Sequence, residues 1–361
     1  MALHSASGVK SIRKLILRIL TVTAVTILFL FLLLYSAMWI VIRGPSPAAK
    51  ELLVRSLRET SAAGFLANWY LSEDEIQKIL ISSNAEAGKT IDSSLIRLPG
   101  KPKDTENFET GRPADTDHSG KTETGRPEPP ETKDPSSGIE LIDIVSGAYR
   151  GKLMIVTDPT RVSVGVIDEF SEENGGKQLP FFLKKYGAIA AVNAGGFNDF
   201  GGSGNGGTPV GLVINNGAIT FGSEYDTYSI CGFDRNGMLY VGTMTGKQAL
   251  EAGVVSACSF GPALIINGQP VQFSSGGVNP RTAIGQRADG AILLLTLAGR
   301  QIDCIGATLA DLTEIMYAYG AVNATNLDGG SSTMMYYKGE RQIKSSSLVG
   351  ERFLPTAIIV R

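Results

Sequence analysis

The sequence predicts an α+β fold: a strand-rich mixed sheet with a few packed helices, preceded by a single transmembrane helix and a disordered linker. Three observations predict it. From Ile139 onward, short apolar runs of strand length follow one another between Asn-Gly and Gly turns. Only two stretches in that part carry an apolar stripe at helical spacing. Ahead of them, an uncharged apolar run at 19–42 is followed by a polar, Pro- and Glu-rich stretch at 82–138.

The N-terminal elements follow in order. Residues 1–18 form a basic tail with Lys10, Arg13, Lys14 and Arg18. Residues 19–42 extend about 36 Å at helical rise, enough to cross a bilayer with tilt. Basic residues concentrate before this run, which predicts a single-pass cell-membrane anchor, a cytoplasmic N-terminus and an extracellular remainder. A cleaved signal peptide is the alternative, although its apolar core is ordinarily about 7–15 residues. Residues 43–81 read as a helical stalk: Leu52, Leu53 and Leu57 share a stripe, and Ser72-Glu-Asp-Glu75 is a capping box ahead of Ile76. In 82–138, Glu109-Thr-Gly-Arg-Pro113 recurs as Glu123-Thr-Gly-Arg-Pro127. Such a composition buries too little surface to offset its ordering entropy, so the stretch reads as a disordered spacer holding the next domain off the membrane.

Residues 139–361 form the globular domain. Strands are expected at 139–145, 152–157, 162–167, 188–192, 210–214, 239–242, 263–266 and 291–297. Asn215-Asn-Gly217, Arg235-Asn-Gly237 and Asn267-Gly268 mark hairpin turns. One helix is expected through Leu179, Phe182, Leu183 and Tyr186, ending at Gly187. A second starts at the capping box Thr308-Leu-Ala-Asp311, presents Leu309, Leu312, Met316 and Tyr319, and ends at Gly320.

Composition limits the chemistry. The chain has 361 residues, is 43% hydrophobic and carries a net charge of −2, so no global basic field points to nucleic acid. The only histidines, His4 and His118, lie outside the globular part. A Ser-His-Asp triad and a His-bound zinc are therefore excluded from the domain. Cys231, Cys258 and Cys304 are widely spaced and read as buried thiols, with one disulfide as the alternative.

The most informative stretch is Asn323-Ala-Thr-Asn-Leu-Asp-Gly-Gly-Ser-Ser-Thr333. An apolar run delivers Asp328 to Gly329 and Gly330, followed by three hydroxyl residues. The glycines permit positive φ and close ligand approach; an ordinary turn after a strand uses the same residues. An internal echo favours a site. Tyr186-Gly-Ala-Ile-Ala-Ala-Val-Asn193-Ala-Gly-Gly196 parallels Tyr319-Gly-Ala-Val-Asn-Ala-Thr-Asn326-Leu-Asp-Gly-Gly330, which would place two strand ends at one cleft. The Gly-rich loop Gly201-Gly-Ser-Gly-Asn-Gly-Gly207 lacks the Gly-Lys-Ser/Thr of a phosphate loop and reads as a flap.

Six motifs in order carry a resemblance. They are Ala190-Ala-Val-Asn-Ala-Gly-Gly-Phe197, Gly211-Leu-Val-Ile-Asn-Asn-Gly217, Gly261-Pro-Ala-Leu-Ile-Ile-Asn-Gly268, Asn279-Pro-Arg-Thr-Ala-Ile-Gly285, Leu327-Asp-Gly-Gly-Ser-Ser-Thr333 and Gly350-Glu-Arg-Phe-Leu-Pro355. Together they resemble the phosphodiester glycosidase family, that of the lysosomal uncovering enzyme N-acetylglucosamine-1-phosphodiester α-N-acetylglucosaminidase. The resemblance covers 139–361. It departs from the family where Asn198, not a second aromatic, follows Phe197, and in lacking recognisable stapling cysteines.

The resemblance implies hydrolysis of the bond between a sugar anomeric carbon and a phosphodiester; the predicted extracellular placement suits an envelope glycan or exopolysaccharide as its substrate. Such a reaction needs donors around the phosphate and a carboxylate near the developing oxocarbenium. Arg281 is the first candidate for the phosphate clamp and Arg352 the second, because the planar guanidinium suits bidentate phosphate binding; structural ion pairs are the plain alternative. Asp328 is the candidate nucleophile or base, and Glu351 its candidate partner unless it simply pairs with Arg352. Asn193 and Asn326 either bind substrate or satisfy buried backbone. Gly195, Gly196, Gly329 and Gly330 would allow backbone approach, and Thr282, Ser331, Ser332 and Thr333 would add hydroxyls. No cofactor is expected. A divalent cation, Ca²⁺ or Mg²⁺, held by Asp199, Asp328 and nearby oxygens is left open. Two rivals keep the same cleft: a non-catalytic phosphosugar-binding module and a glycosyl-phosphate transferase.

Overall fold

A computed structural model describes residues 3–58, 64–72, 75–76, 91–98, 133–134, 138–199, 204–273, 277–347 and 350–361. The α+β class holds. The expected single mixed sheet is instead three sheets, antiparallel at every pairing among the described residues. The strands, β1 to β18 in chain order, divide as follows.

The largest sheet has eight strands. In spatial order they are β1 (Lys133–Asp134), β2 (Ile139–Val145), β3 (Arg150–Val156), β14 (Ile292–Ala298), β13 (Arg281–Arg287), β15 (Ala321–Leu327), β11 (Ala263–Ile266) and β12 (Gln269–Pro270). The second contains β7 (Ala218–Phe221), β6 (Val213–Asn215), β10 (Ser256–Ser259), β8 (Thr227–Phe233) and β9 (Leu239–Thr245). The third contains β17 (Glu340–Arg341), β16 (Met335–Tyr337), β5 (Ala190–Asn193), β18 (Thr356–Val360) and β4 (Val162–Val166). One core joins all three sheets, with Met154, Val192, Cys231, Ile284, Leu294 and Ile358 among its fully buried side chains.

The turns form as their chemistry dictates. Asn216 and Gly217 link β6 to β7 at φ 52° and 77°, and Asn267 and Gly268 link β11 to β12 at 52° and 74°. Gly237 closes the β8–β9 hairpin at φ 81°. Strands β1, β8, β10, β13, β16, β17 and β18 were not expected. β13 shows why: it reads Arg-Thr-Ala-Ile-Gly-Gln-Arg, yet it is central and buried through six of its seven residues. Gln286 is tolerated there because it accepts from Leu239 N–H at 2.8 Å and donates to the carbonyls of Gly237 and Gly290.

Five α-helices are described. α1 (Leu3–Arg43) contains the apolar run and is long and apolar enough to cross a membrane. α2 (Pro47–Arg58) opens the segment read as a stalk, and the Ser72–Glu75 capping box is formed. α3 (Leu179–Tyr186) ends at Gly187 in the left-handed conformation, as expected. α4 (Gly246–Glu251) is short and unforeseen; α5 (Leu309–Ala318) has the expected capping box. α3 buries Leu179 and Phe182 against the third sheet, and α5 packs Leu312 and Met316 on the large sheet.

Within the stretch read as spacer, residues 91–98 are ordered on the domain. Ile96 and Leu98 are buried against Met238, Asp92 N–H donates to Asn267 Oδ1 at 2.8 Å and Arg97 N–H to the Ala288 carbonyl at 2.8 Å. Ile91, Ile96 and Leu98, three of the four apolar residues among these eight, suffice to dock a strip that the surrounding composition conceals. Most of 82–138 lies outside the described residues. The cysteines are free and buried, and Cys231 faces Cys258 across β8 and β10. A hydrogen bond to Cys258, together with burial, pushes the Cys231 thiol well above its ordinary range.

Candidate active site

The two echoing units meet. β5 and β15 end side by side, where Asp328 N–H donates to the Ala194 carbonyl at 2.9 Å. Asn193, fully buried, is the clasp. Its Nδ2 donates to the Asp328 carbonyl, while its Oδ1 accepts from the Thr282 hydroxyl at 2.8 Å and from Met334 N–H at 3.1 Å. Asn193 and Thr282 therefore position the Asp328 turn from beneath and do not line the cleft. Asn326 is likewise buried, its Nδ2 bonded to the Gly261 carbonyl at 2.8 Å and its Oδ1 unpartnered. Gly195 packs against Cys258, where an added Cβ would stand 2.9 Å from that side chain, and its N–H donates to the Thr356 hydroxyl.

Above this floor opens a pocket of about 790 Å³. Asp328, Gly329, Gly330, Ser331 and Ser332 line one side, and Gly196, Phe197 and Asp199 another. Val210, Tyr228 and Phe260 give it an apolar wall. Three guanidinium groups reach it: Arg281, Arg300 and Arg352.

Each arginine is held differently. Arg281, on β13, is 5% exposed and donates through Nε to the Ala307 carbonyl at 3.2 Å and through Nη2 to the Gly277 carbonyl at 2.5 Å. Arg352 lies 5.1 Å from the centroid of the Phe197 ring; its Nη2 meets Asp199 Oδ1 at 2.7 Å and the Gly204 carbonyl at 3.1 Å. Arg300 was missed in the sequence. It follows β14, whose Leu297 pairs with Arg281 in the neighbouring strand, so the hairpin register brings both to the same end of the large sheet. Asn279 Oδ1 accepts from its Nη2 at 2.7 Å, and its backbone is left-handed at φ 56°. A non-glycine residue in that region is a strained position of the kind found at functional sites. Gly330, at φ 57°, faces this guanidinium at close range: an added Cβ would be 3.4 Å from it.

Asp328 is the unusual acid. Burial raises its pKa to about 7; the Ser332 hydroxyl, the Gly329 N–H and the Arg352 charge pull it down, and the Asp199 charge adds to the rise. Its Oδ2 is buried without a hydrogen-bond partner. A carboxyl that exchanges its proton near neutrality, beside clustered cations in a cleft, has the character of a catalytic group.

Glu351 does not join it. Its Oε1 accepts from the Tyr336 hydroxyl at 2.6 Å and pairs with Arg341 Nη1 at 3.2 Å, and it is absent from the pocket lining. Nor does it make the alternative ion pair with Arg352, which is paired with Asp199 instead. Burial and the Glu351 carboxylate together push the Tyr336 phenol up to about 12, consistent with a structural role. Among the described residues no three His, Cys, Asp or Glu side chains converge. The loop read as a flap is closely packed where it is described: an added Cβ at Gly207 would stand 1.9 Å from the Ser171 carbonyl oxygen. Gly204, Gly206 and Gly207 serve backbone approach within the fold.

Comparison with known proteins bears on the fold. The sequence model of the phosphodiester glycosidase family matches residues 186–361. A prophage-derived uncharacterized protein, YomE of Bacillus subtilis strain 168, is 28% identical over 171 residues; the match takes in 44% of this chain and about a quarter of that protein, 25%. Among solved structures, the catalytic domain of zebrafish N-acetylglucosamine-1-phosphodiester α-N-acetylglucosaminidase, auto-inhibited by its pro-peptide, superposes with a TM-score of 0.52 at 22% identity. That match covers 65% of this chain and 87% of the zebrafish domain, and it shows a shared fold. The matched stretch, residues 186–361, contains β5, β13, β15 and every arginine of the pocket, so the pocket lies within the part of this chain that matches the phosphodiester glycosidase family model.

Proposed function

We propose that the domain hydrolyses a sugar-1-phosphodiester, with Asp328 as the reacting carboxylate and Arg281, Arg300 and Arg352 as the phosphate seat. The observation that carries this reading is the buried Asp328 carboxyl, held near neutrality within one pocket with three guanidiniums. In the reaction the bond from C1 to the phosphate oxygen breaks and its electron pair leaves with the phosphate. Ionised Asp328 either takes the proton of the water that attacks C1 or bonds to C1 itself before water displaces it. Guanidiniums are matched to the charge that grows on the departing phosphate. Phosphate leaves readily, so the mechanism does not require a second carboxyl as acid, and Glu351 has no part in it. The wall of Val210, Tyr228 and Phe260 suits the apolar face of a sugar ring or the group beyond it.

The apolar run of α1, with basic residues concentrated before it, supports an anchor whose head domain lies outside the cell, where an envelope glycan or exopolysaccharide would be the substrate. The test is release of sugar from a panel of sugar-1-phosphodiesters by the wild type, Asp328→Asn and Arg281→Ala. Loss of release in both folded variants is expected. Turnover retained by both removes the site assignment. A wild type that binds a phosphosugar and releases nothing is a binding module, and new diesters formed with added alcohols would mark a transferase.

A further inference from the structure

The surroundings of α1 change along its length. From Leu15 to Leu34 its large apolar side chains are open on every face, as at Leu17 (67% exposed), Phe29 (64%) and Leu34 (58%). Beyond Tyr35 one face of the same helix is covered by protein, while Trp39 and Ile40 stay exposed on the other. Ile42 is buried at 2% exposure in a cluster with Val54, Ala67, Tyr70, Leu71 and Ile76, and Met38 packs against it. The covering segment returns alongside α1. The Tyr70 ring lies 5.0 Å from the Tyr35 ring, and its hydroxyl donates to the Tyr35 carbonyl at 3.2 Å. Trp69 meets Phe31 edge-on at 6.1 Å, and Arg43 Nη2 donates to the Tyr70 carbonyl at 3.3 Å.

This arrangement does not fit a bilayer core spanning 19–42. The covering segment carries a 3₁₀ turn (Gly64–Trp69), charged Glu75 and its Ser72 cap, none of which belongs in hydrocarbon. Hydrocarbon needs about 20 apolar residues, and the stretch from Leu15 to Leu34 supplies about that number at about 30 Å. Arg13 and Lys14 bound it on one side, and Arg18 can extend its stem towards the same interface. On the other side stand Tyr35, Trp39, Trp69 and Tyr70, the residue types that settle at headgroup depth. Trp39 and Trp69 are 53% and 48% exposed, so their rings are available to lipid.

We propose that the described parts of this segment, residues 47–58, 64–72 and 75–76, fold back on α1 as an aromatic collar seated in the outer headgroup layer, which confines the span to about Leu15–Tyr35. The proposal rests on the reading of α1 as an anchor. It also changes where the head domain sits. Val278 N–H donates to Ser56 Oγ of α2 at 3.3 Å, and Gly277 lies so close to Ser56 that an added Cβ would be 2.8 Å from its Cα. Gly277 offers its carbonyl to Arg281, so the collar abuts the backbone that holds a pocket arginine. The catalytic domain is then held at the bilayer surface, not at the end of a long spacer.

The chain has only two tryptophans, Trp39 and Trp69, and both are in the collar, so intrinsic fluorescence reads it alone. The full chain is reconstituted in phosphatidylcholine vesicles containing lipids brominated at shallow or deep acyl positions. Wild type, Trp39→Phe and Trp69→Phe are compared, with alkaline carbonate extraction in parallel. Retention in the vesicles, with shallow bromines quenching each tryptophan at least about twofold more than deep ones, is expected. Strongest quenching of Trp39 by the deepest bromines returns the span to 19–42 and overturns the collar. Retained protein whose Trp69 is unquenched also overturns it, while leaving the anchor in place. Release by carbonate overturns the anchor and the collar together. The wild-type measurement decides the matter if either variant fails to insert.

Discussion

Replacing Asp328 by Asn tests stability and chemistry at one atom. In the folded chain the carboxyl titrates near 7 against an ordinary value of 3.8, because burial desolvates the anion. At about 1.4 kcal/mol per pKa unit, ionising it in place costs on the order of 4 kcal/mol as a ceiling. The sign follows from proton counts. Between the two values the folded chain holds a proton that the unfolded chain has released, so stability falls as pH rises from about 4 to about 7 and levels off above. Asn removes that slope but leaves a buried amide donor where Oδ2 has no partner, which takes back about 1–3 kcal/mol. The variant should therefore be more stable than the wild type by about 1–3 kcal/mol at pH 8, and no more stable than it at pH 4. It should also lose about 10²–10⁴-fold in turnover. Urea unfolding of the full chain in detergent across pH 4–8, with sugar release measured on the same samples, provides the assay. Equal pH slopes in the two proteins would refute the claim that Asp328 carries the buried proton.

Three further outcomes are expected. Wild-type kcat/KM should rise with pH and level off above about 7, because the reaction needs Asp328 ionised; a profile that falls through that range would make Asp328 an acid instead. Asn193→Ala strands the Thr282 hydroxyl, the Met334 N–H and the Asp328 carbonyl, so a loss of roughly 3 kcal/mol and a fall in melting temperature of several degrees are expected, and an unchanged melting curve would contradict the clasp. Gly330→Ala introduces a Cβ at φ 57° against Arg300 and should cost about 1–2 kcal/mol while raising KM more than it lowers kcat; normal KM would place the phosphate elsewhere.

The sequence by itself determined the α+β class, the hairpin turns, both capping boxes and the pairing of two strand ends. These depend on local chemistry: Asn-Gly at positive φ, Ser or Thr before a helix, alternation over a few residues. It also brought forward Asp328 and Arg281, because both stand next to turn or proline signals within ordered motifs. Tertiary structure alone decided the rest. Arg300 reaches the pocket through the register of the β13–β14 hairpin, and that hairpin stays hidden in the sequence because β13, with Arg281, Thr282, Gln286 and Arg287, does not read as a buried strand. Asn193 and Thr282 look like site residues in the sequence and become supports in the fold, since each polar atom is already used beneath the floor. Glu351 adjoins Arg352 in sequence, yet it bonds Tyr336 and Arg341 while Arg352 turns to Asp199. An acid's strength is the clearest case: Asp328 is ordinary as a letter, and its carboxyl is pushed towards neutrality only because the fold shields its Oδ2 from water.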